Sequence, residues 1–137
     1  MIASTPARAK SANEVSHDIV TAAMKVHTKL GPGLLESSYE ACLAYELRKA
    51  SCRVETQVAL PVIYDDVHLD VGYRIDMVVD NLVVVEIKSV DAIAPIHEAQ
   101  LMSYMKLSNR SLGLLINFNV VHLKDGITRR VIGSGWQ

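Results

Sequence analysis

The sequence has only two cysteines in 137 residues, Cys42 and Cys52, and they do not have the spacing of metal ligands. A cysteine metal cluster is therefore excluded, and both thiols are expected to be buried or incidental in a reducing, cytoplasmic setting. An excess of charge is also missing, because 14 Lys and Arg against 15 Asp and Glu leave a formal net charge of -1. That excludes a strongly basic nucleic-acid binder and a charged disordered tail, so any polyanion must meet a local patch. No apolar run approaches the roughly 20 residues that span a bilayer, and the start, Met1 to Lys10, lacks the apolar stretch of a signal peptide. The expectation is a soluble protein with no membrane partner and a flexible N-terminus over residues 1–12. Repeats and linkers are absent, and the length suits one domain over 13–137 that buries roughly two-thirds of its unfolded surface.

Half of the residues are hydrophobic, and their periodicity predicts the elements. Val15, Ile19, Ala22, Ala23, Val26 and Leu30 recur at helical spacing, with Asn13 as candidate cap and Gly31 as stop. Beyond the Gly31-Pro32-Gly33 corner a second helix is expected from about Leu34 to Ala50, burying Leu35, Tyr39, Cys42, Leu43 and Leu47. Val54 to Leu60 and Pro61 to Tyr64 read as extended, and Asp65-Asp66 as a turn leading towards a strand with Asp76, giving three antiparallel strands. Pro95 suits the first turn of a helix to about Leu107. Leu112 to Phe118 is apolar enough for a central strand, and Val120 to Leu123 with Ile127 to Ile132 are expected to form a final hairpin. This order describes an α/β sandwich with a mixed sheet flanked by helices.

Within that frame Asp76, Glu86 and Lys88 are charges set into otherwise apolar strands. Burying an unpaired carboxylate costs several kcal/mol, so such acids need a partner: a divalent cation, or an ion pair with Lys88. Side chains alternate with period two, which puts Val71, Tyr73, Ile75, Met77 and Val79 on one face and Arg74, Asp76 and Val78 on the other. In the next strand Leu82, Val84, Glu86 and Lys88 share a face. Asp76 joins them if it lies opposite Glu86 or a residue an even number of positions away, which demands an odd loop or a bulge; a three-residue connection Asp80-Asn81-Leu82 provides it. A two-residue turn without a bulge would set Asp76 against Val85 and dismantle the site.

A hard cation such as Mg²⁺ takes oxygen ligands, typically one or two carboxylates plus water and phosphate. Asp76 and Glu86 fit that role, the Ile87 carbonyl is a further candidate oxygen, and Lys88 would stand beside the bound water. Glu36 opens the second helix next to the glycine corner, from where it is a further candidate to reach the metal or its water shell, with Tyr39 three residues on. His97, Gln100 and Tyr104 fall at i, i+3 and i+7 on one side of the third helix. Arg74, Lys106 and Arg110 are the first candidates for phosphate contacts, with Arg48, Lys49, Arg53, Arg129 and Arg130 as further basic side chains.

Taken together, Gly33-x-x-Glu36-x-x-Tyr39, Asp76, Glu86-x-Lys88 and Gln100-x-x-x-Tyr104 resemble the GxxExxY family, a branch of the PD-(D/E)XK nuclease superfamily. The phrases Leu30 to Glu36, Pro95 to Gln100 and Leu114 to Asn119 agree with it, and the likeness runs from about Ile19 to Arg130. The superfamily's proline before the aspartate is replaced by Ile75. The resemblance implies a restriction-endonuclease-like αβββαβ core and Mg²⁺-dependent phosphodiester cleavage, with Mn²⁺ as an alternative ion. It also implies Asp76 and Glu86 as metal ligands, Lys88 as the group acting on the attacking water, Glu36 as the helix acid, and Gln100 with Tyr104 as support. The expected function is a nuclease acting on nucleic acid, DNA before RNA, with a homodimer if both strands are cut and Trp136 as a candidate contact. The rival is a catalytically inactive nuclease-fold module that binds nucleic acid or a protein partner.

Overall fold

A computed structural model describes residues 9–133. Of the N-terminal segment expected to be flexible, residues 1–8 lie outside the described residues, as does Trp136, while Ser11 caps the first helix and Ala12 opens it. Helix α1 spans Ala12–Leu30. Its cap is Ser11 and not Asn13: the Glu14 N–H donates to Ser11 Oγ at 3.2 Å, and the Ser11 N–H donates to Glu14 Oε1 at 3.1 Å. This reciprocal pair satisfies two helix-end donors at once. Gly31 ends the helix at φ 66, a conformation open to glycine because it has no Cβ.

Helix α2 covers Glu36–Lys49 and buries Tyr39, Leu43, Ala44 and Leu47. Leu35, expected in the buried stripe, is 74% exposed, because it stands at the cap position before the helix begins. The strands are β1 (Val54–Ala59), β2 (Val62–Tyr64), β3 (Val67–Leu69), β4 (Arg74–Val79), β5 (Val83–Lys88), β6 (Leu112–Asn117) and β7 (Ile127–Val131), with α3 at Pro95–Leu107 between β5 and β6. Five of them form one sheet in the order β1-β4-β5-β6-β7. β5 and β6 are parallel, as a helical crossover allows, and the remaining pairs are antiparallel.

Three layers result. Met77, Val79, Val83, Val85, Leu114 and Ile116 pack under α1 and α2, while Val78, Val84 and Leu115 pack under Leu101 and Met105 of α3. Burial on both faces explains the near-continuous apolar runs of β5 and β6. This is the restriction-endonuclease-like mixed α/β architecture expected above. Among the described residues no helix is long and apolar enough to cross a membrane.

Two segments differ from expectation. β2 and β3 pair only with each other, so three of the five strands before α3 join the main sheet. Residues 120–123 form no strand: a short 3₁₀ turn at Leu123–Gly126 follows, and β7 pairs directly with β6. Leu123 is buried in the α1–α2 layer, and His27 Nε2 donates to the Val120 carbonyl at 2.8 Å, so this segment plugs the sheet end instead of extending it.

Candidate active site

The β4–β5 hairpin turns through the three residues Asp80, Asn81 and Leu82, with the register Met77↔Val85, Val78↔Val84 and Val79↔Val83. Asp80 and Asn81 adopt φ of 51 and 58, the left-handed region that short polar side chains tolerate best after glycine. Asp80 Oδ1 accepts the Arg53 N–H at 2.7 Å, and Asn81 Oδ1 accepts from Arg110 Nη2 at 2.7 Å. Continuing this register brings Asp76 opposite Glu86.

There the backbone ladder ends and side chains replace it. The Asp76 N–H donates to Glu86 Oε2 at 2.8 Å, and the Ile87 N–H donates to Asp76 Oδ2 at 2.8 Å. Two carboxylates thus wedge between strands that have begun to part. On the other side β1 skips its partner as well, since Gln57 sits at φ 51 between the pairs Thr56↔Met77 and Val58↔Ile75. One consequence corrects the alternation: Ile75, expected on the face of Met77, packs with Val78, Val84 and α3.

Glu86 is only 4% exposed. Burial first, and the neighbouring Asp76 charge second, push its carboxyl up to about 8, against the smaller pull of the Asp76 N–H and Lys88. Lys88 is half-buried and, among the described residues, makes no ion pair with either acid; its Nζ donates to Gln100 Oε1 at 3.5 Å. Gln100 Nε2 in turn donates to the Tyr104 hydroxyl at 2.9 Å. Burial, and then the Glu86 charge, raise the Tyr104 phenol above its ordinary value. The alternative in which Lys88 simply neutralises an acid is therefore not what the fold contains.

Glu36 is exposed at the start of α2, and its charge reaches Glu86. It does not complete a cage, because among the described residues no three His, Cys, Asp or Glu side chains are grouped as metal ligands. Two carboxylates still suit a hard divalent cation that fills its remaining positions with water and phosphate. The Glu86 Oε1 accepts no hydrogen bond among the described residues, and Asp76 Oδ1 has only a 3.5 Å contact from Gln57. The donor set accordingly fits such an ion.

Tyr39 works on the scaffold. It is fully buried, stacks on Phe118 at 4.5 Å, donates to the Gly31 carbonyl at 2.6 Å and accepts the Leu34 N–H at 3.1 Å, locking the corner from which Glu36 projects. His97 Nδ1 accepts the Ala94 N–H at 3.0 Å and so caps α3. Most of the candidate phosphate contacts are occupied within the chain. Arg48 donates to the Val54 carbonyl, Arg53 pairs with Glu55, Arg110 holds Asn81, Arg129 holds Asn13 and Arg130 pairs with Glu98, while Lys49 lies over Tyr45. Arg74 is exposed and donates to the Tyr73 carbonyl at 3.3 Å.

Sequence reasoning missed Glu40 and Gln57. Gln57 Nε2 donates to Glu40 Oε1 at 2.6 Å and lies 3.5 Å from Asp76 Oδ1, bridging α2 to the site. Burial raises the Glu40 carboxyl, with Asp76 adding to the effect against the Gln57 hydrogen bond. The available signal was the i, i+4 spacing of Glu36 and Glu40, which puts both acids on one helix face. Asn117 was missed as well. It pairs with Lys88 across β5–β6, is 2% exposed, donates to the Val90 carbonyl at 2.9 Å and accepts the Val90 N–H at 3.1 Å. Asn117→Ala would strand both Val90 groups, at a cost of about 1–3 kcal/mol. Denaturant unfolding should show that loss as a lower midpoint with an unchanged slope.

The sequence model of the PD-(D/E)XK nuclease superfamily matches residues 13–130. No curated protein and no solved structure matches the chain.

Proposed function

The chain belongs to the PD-(D/E)XK nuclease superfamily, and we propose that it is a metal-dependent phosphodiesterase of the GxxExxY type that hydrolyses nucleic acid, DNA before RNA. Glu86 carries the proposal. It is a carboxyl group at 4% exposure that accepts the Asp76 N–H, is raised by the neighbouring Asp76 charge, and has no ion-pair partner among the described residues. Ionising such a group is costly unless a cation arrives to compensate it.

Mg²⁺, or Mn²⁺ in its place, would be held by Asp76 and Glu86, with the Ile87 carbonyl as a further oxygen, and supplies a more acidic water and charge for the phosphate. Lys88 brings an ammonium outside any ion pair among the described residues to the end of β5, where it stabilises negative charge growing on the phosphoryl oxygens. Gln100 orients that ammonium by accepting from it, and Tyr104 holds Gln100. Glu36 adds a negative charge at the helix start, favouring cation over anion at this end of the sheet. The competing proposal, a nuclease fold that binds without cutting, draws on the net charge of -1 and on the intramolecular use of most arginines.

Metal titration tests the site directly. Mg²⁺ or Mn²⁺ should raise the melting temperature of the wild type by several degrees and leave Asp76→Ala unmoved, since a ligand at 100 times its Kd adds about 2.7 kcal/mol to the folded state alone. Equal shifts in both proteins would sink the metal site. Incubation with single-stranded, duplex and branched DNA and with RNA then separates enzyme from binder.

A further inference from the structure

Beside the carboxylates lies a cleft of about 560 Å³ whose walls include Val62, Tyr73, Ile96, Gln100, Tyr104 and Leu107. Gln100 and Tyr104 belong to it and to the Lys88 hydrogen-bond chain alike, so cleft and candidate site are continuous. Its character is different from that of the site. Ile96 is 70% exposed and Tyr73 47%, an open apolar and aromatic surface for which phosphate chemistry alone has no use. The Tyr73 and Tyr104 rings stand 6.2 Å apart and tilted by 59°, so they are not stacked on each other. The backbone that carries the Tyr73 ring is fixed: its carbonyl accepts the Leu60 N–H at 2.9 Å and a bond from Arg74, a cation kept at its side.

A phosphate-directed centre joined to an aromatic, apolar cleft with amide and hydroxyl groups on its rim matches one ligand chemistry, a nucleotide whose base is out of its stack. From this juxtaposition we infer that the cleft receives an unpaired nucleobase of the strand being cut, stacked on Tyr73, and that the substrate is single-stranded or locally unpaired. The inference rests on the nuclease proposal and narrows its substrate. In an intact duplex both faces of every base are covered by its neighbours, so the cleft gives no advantage there. On a single strand each base offers a free face, and stacking on an aromatic side chain is tolerant of sequence.

The test uses the full chain with Ca²⁺ in place of Mg²⁺, so that binding is read without turnover, and compares a short oligothymidine strand with an abasic strand of equal length and charge. The wild type should prefer the base-bearing strand roughly tenfold. Tyr73→Ala should lose that preference while keeping its affinity for the abasic strand, and Tyr73→Phe, which retains the ring, should behave as wild type. Equal binding of both strands by the wild type, or a preference that survives Tyr73→Ala, would overturn the inference. So would a dimer that dissociates in Tyr73→Ala with no change in strand preference, because the cleft would then belong to a second copy. Cleavage with Mg²⁺ is scored separately: cutting without base preference removes the cleft and leaves the nuclease. Tyr73-dependent base preference without any cutting keeps the cleft and removes the nuclease.

Discussion

Lys88→Ala should keep nucleic-acid affinity near the wild-type value and lose about 10²- to 10³-fold in cleavage rate, the effect of removing one preorganised charge from a transition state. The argument starts from what Lys88 does not do. Its ammonium forms no ion pair with Asp76 or Glu86 among the described residues, and the ammonium's one hydrogen bond there is the 3.5 Å contact to Gln100. An ammonium so lightly engaged is available to an incoming phosphate. Loss of a single phosphate contact weakens ground-state binding only modestly, since affinity for a polyanion is spread over many such contacts. The cost should therefore fall on turnover, with kcat reduced more than KM is raised. Lys88→Arg should not restore the rate, because a planar guanidinium cannot take the place of a compact point charge. Wild-type cleavage by Lys88→Ala would mean that another site, or a contaminant, does the cutting.

Glu86 gives the second large effect. With metal chelated, stability should fall as pH rises from about 4.5, the ordinary value of the carboxyl, to about 8, its value in the fold. Across that window the folded protein holds a proton that the unfolded chain has released, so each step up in pH favours unfolding. At about 1.4 kcal/mol per pH unit the loss is on the order of 3–5 kcal/mol. Glu86→Gln should flatten the profile and raise the melting temperature at pH 8 while abolishing metal-dependent cleavage. Glu40 is shifted in the same direction and is present in both proteins, so the difference between them isolates Glu86. A divalent ion should reverse the trend, since its ligands bind deprotonated and its affinity grows with pH. Urea unfolding at a series of pH values in chelator checks this. A flat wild-type profile, or the same slope in Glu86→Gln, would reject it.

Much of the site was legible because it depends on local rules. Pro95–Leu107 is helical over the expected range, with a proline at its first position. The three-residue turn of Asp80, Asn81 and Leu82, and with it the opposition of Asp76 to Glu86, follows from period-two alternation and from residues that tolerate positive φ. Where local rules met long-range packing they failed. Ile75 left its expected face because carboxylates separate β4 from β5 just beyond Met77, and residues 120–123 were drawn into the α1–α2 layer instead of a hairpin. The Glu40–Gln57 bridge requires α2 to lie against β1, across an interval of 17 residues that no periodicity spans.

The order of the amino acids by itself determined the three long helices, the β4–β5 hairpin and which charged side chains share a strand, because alternation and turn chemistry are settled between near neighbours. Tertiary structure alone decided which charges are neutralised. Arg130 meets Glu98 across 32 positions and Gln57 meets Glu40 across 17, while Lys88 and Glu86, two positions apart, do not pair. Ion pairs and hydrogen bonds act over a few ångströms, and the packing of layers sets distances on that scale.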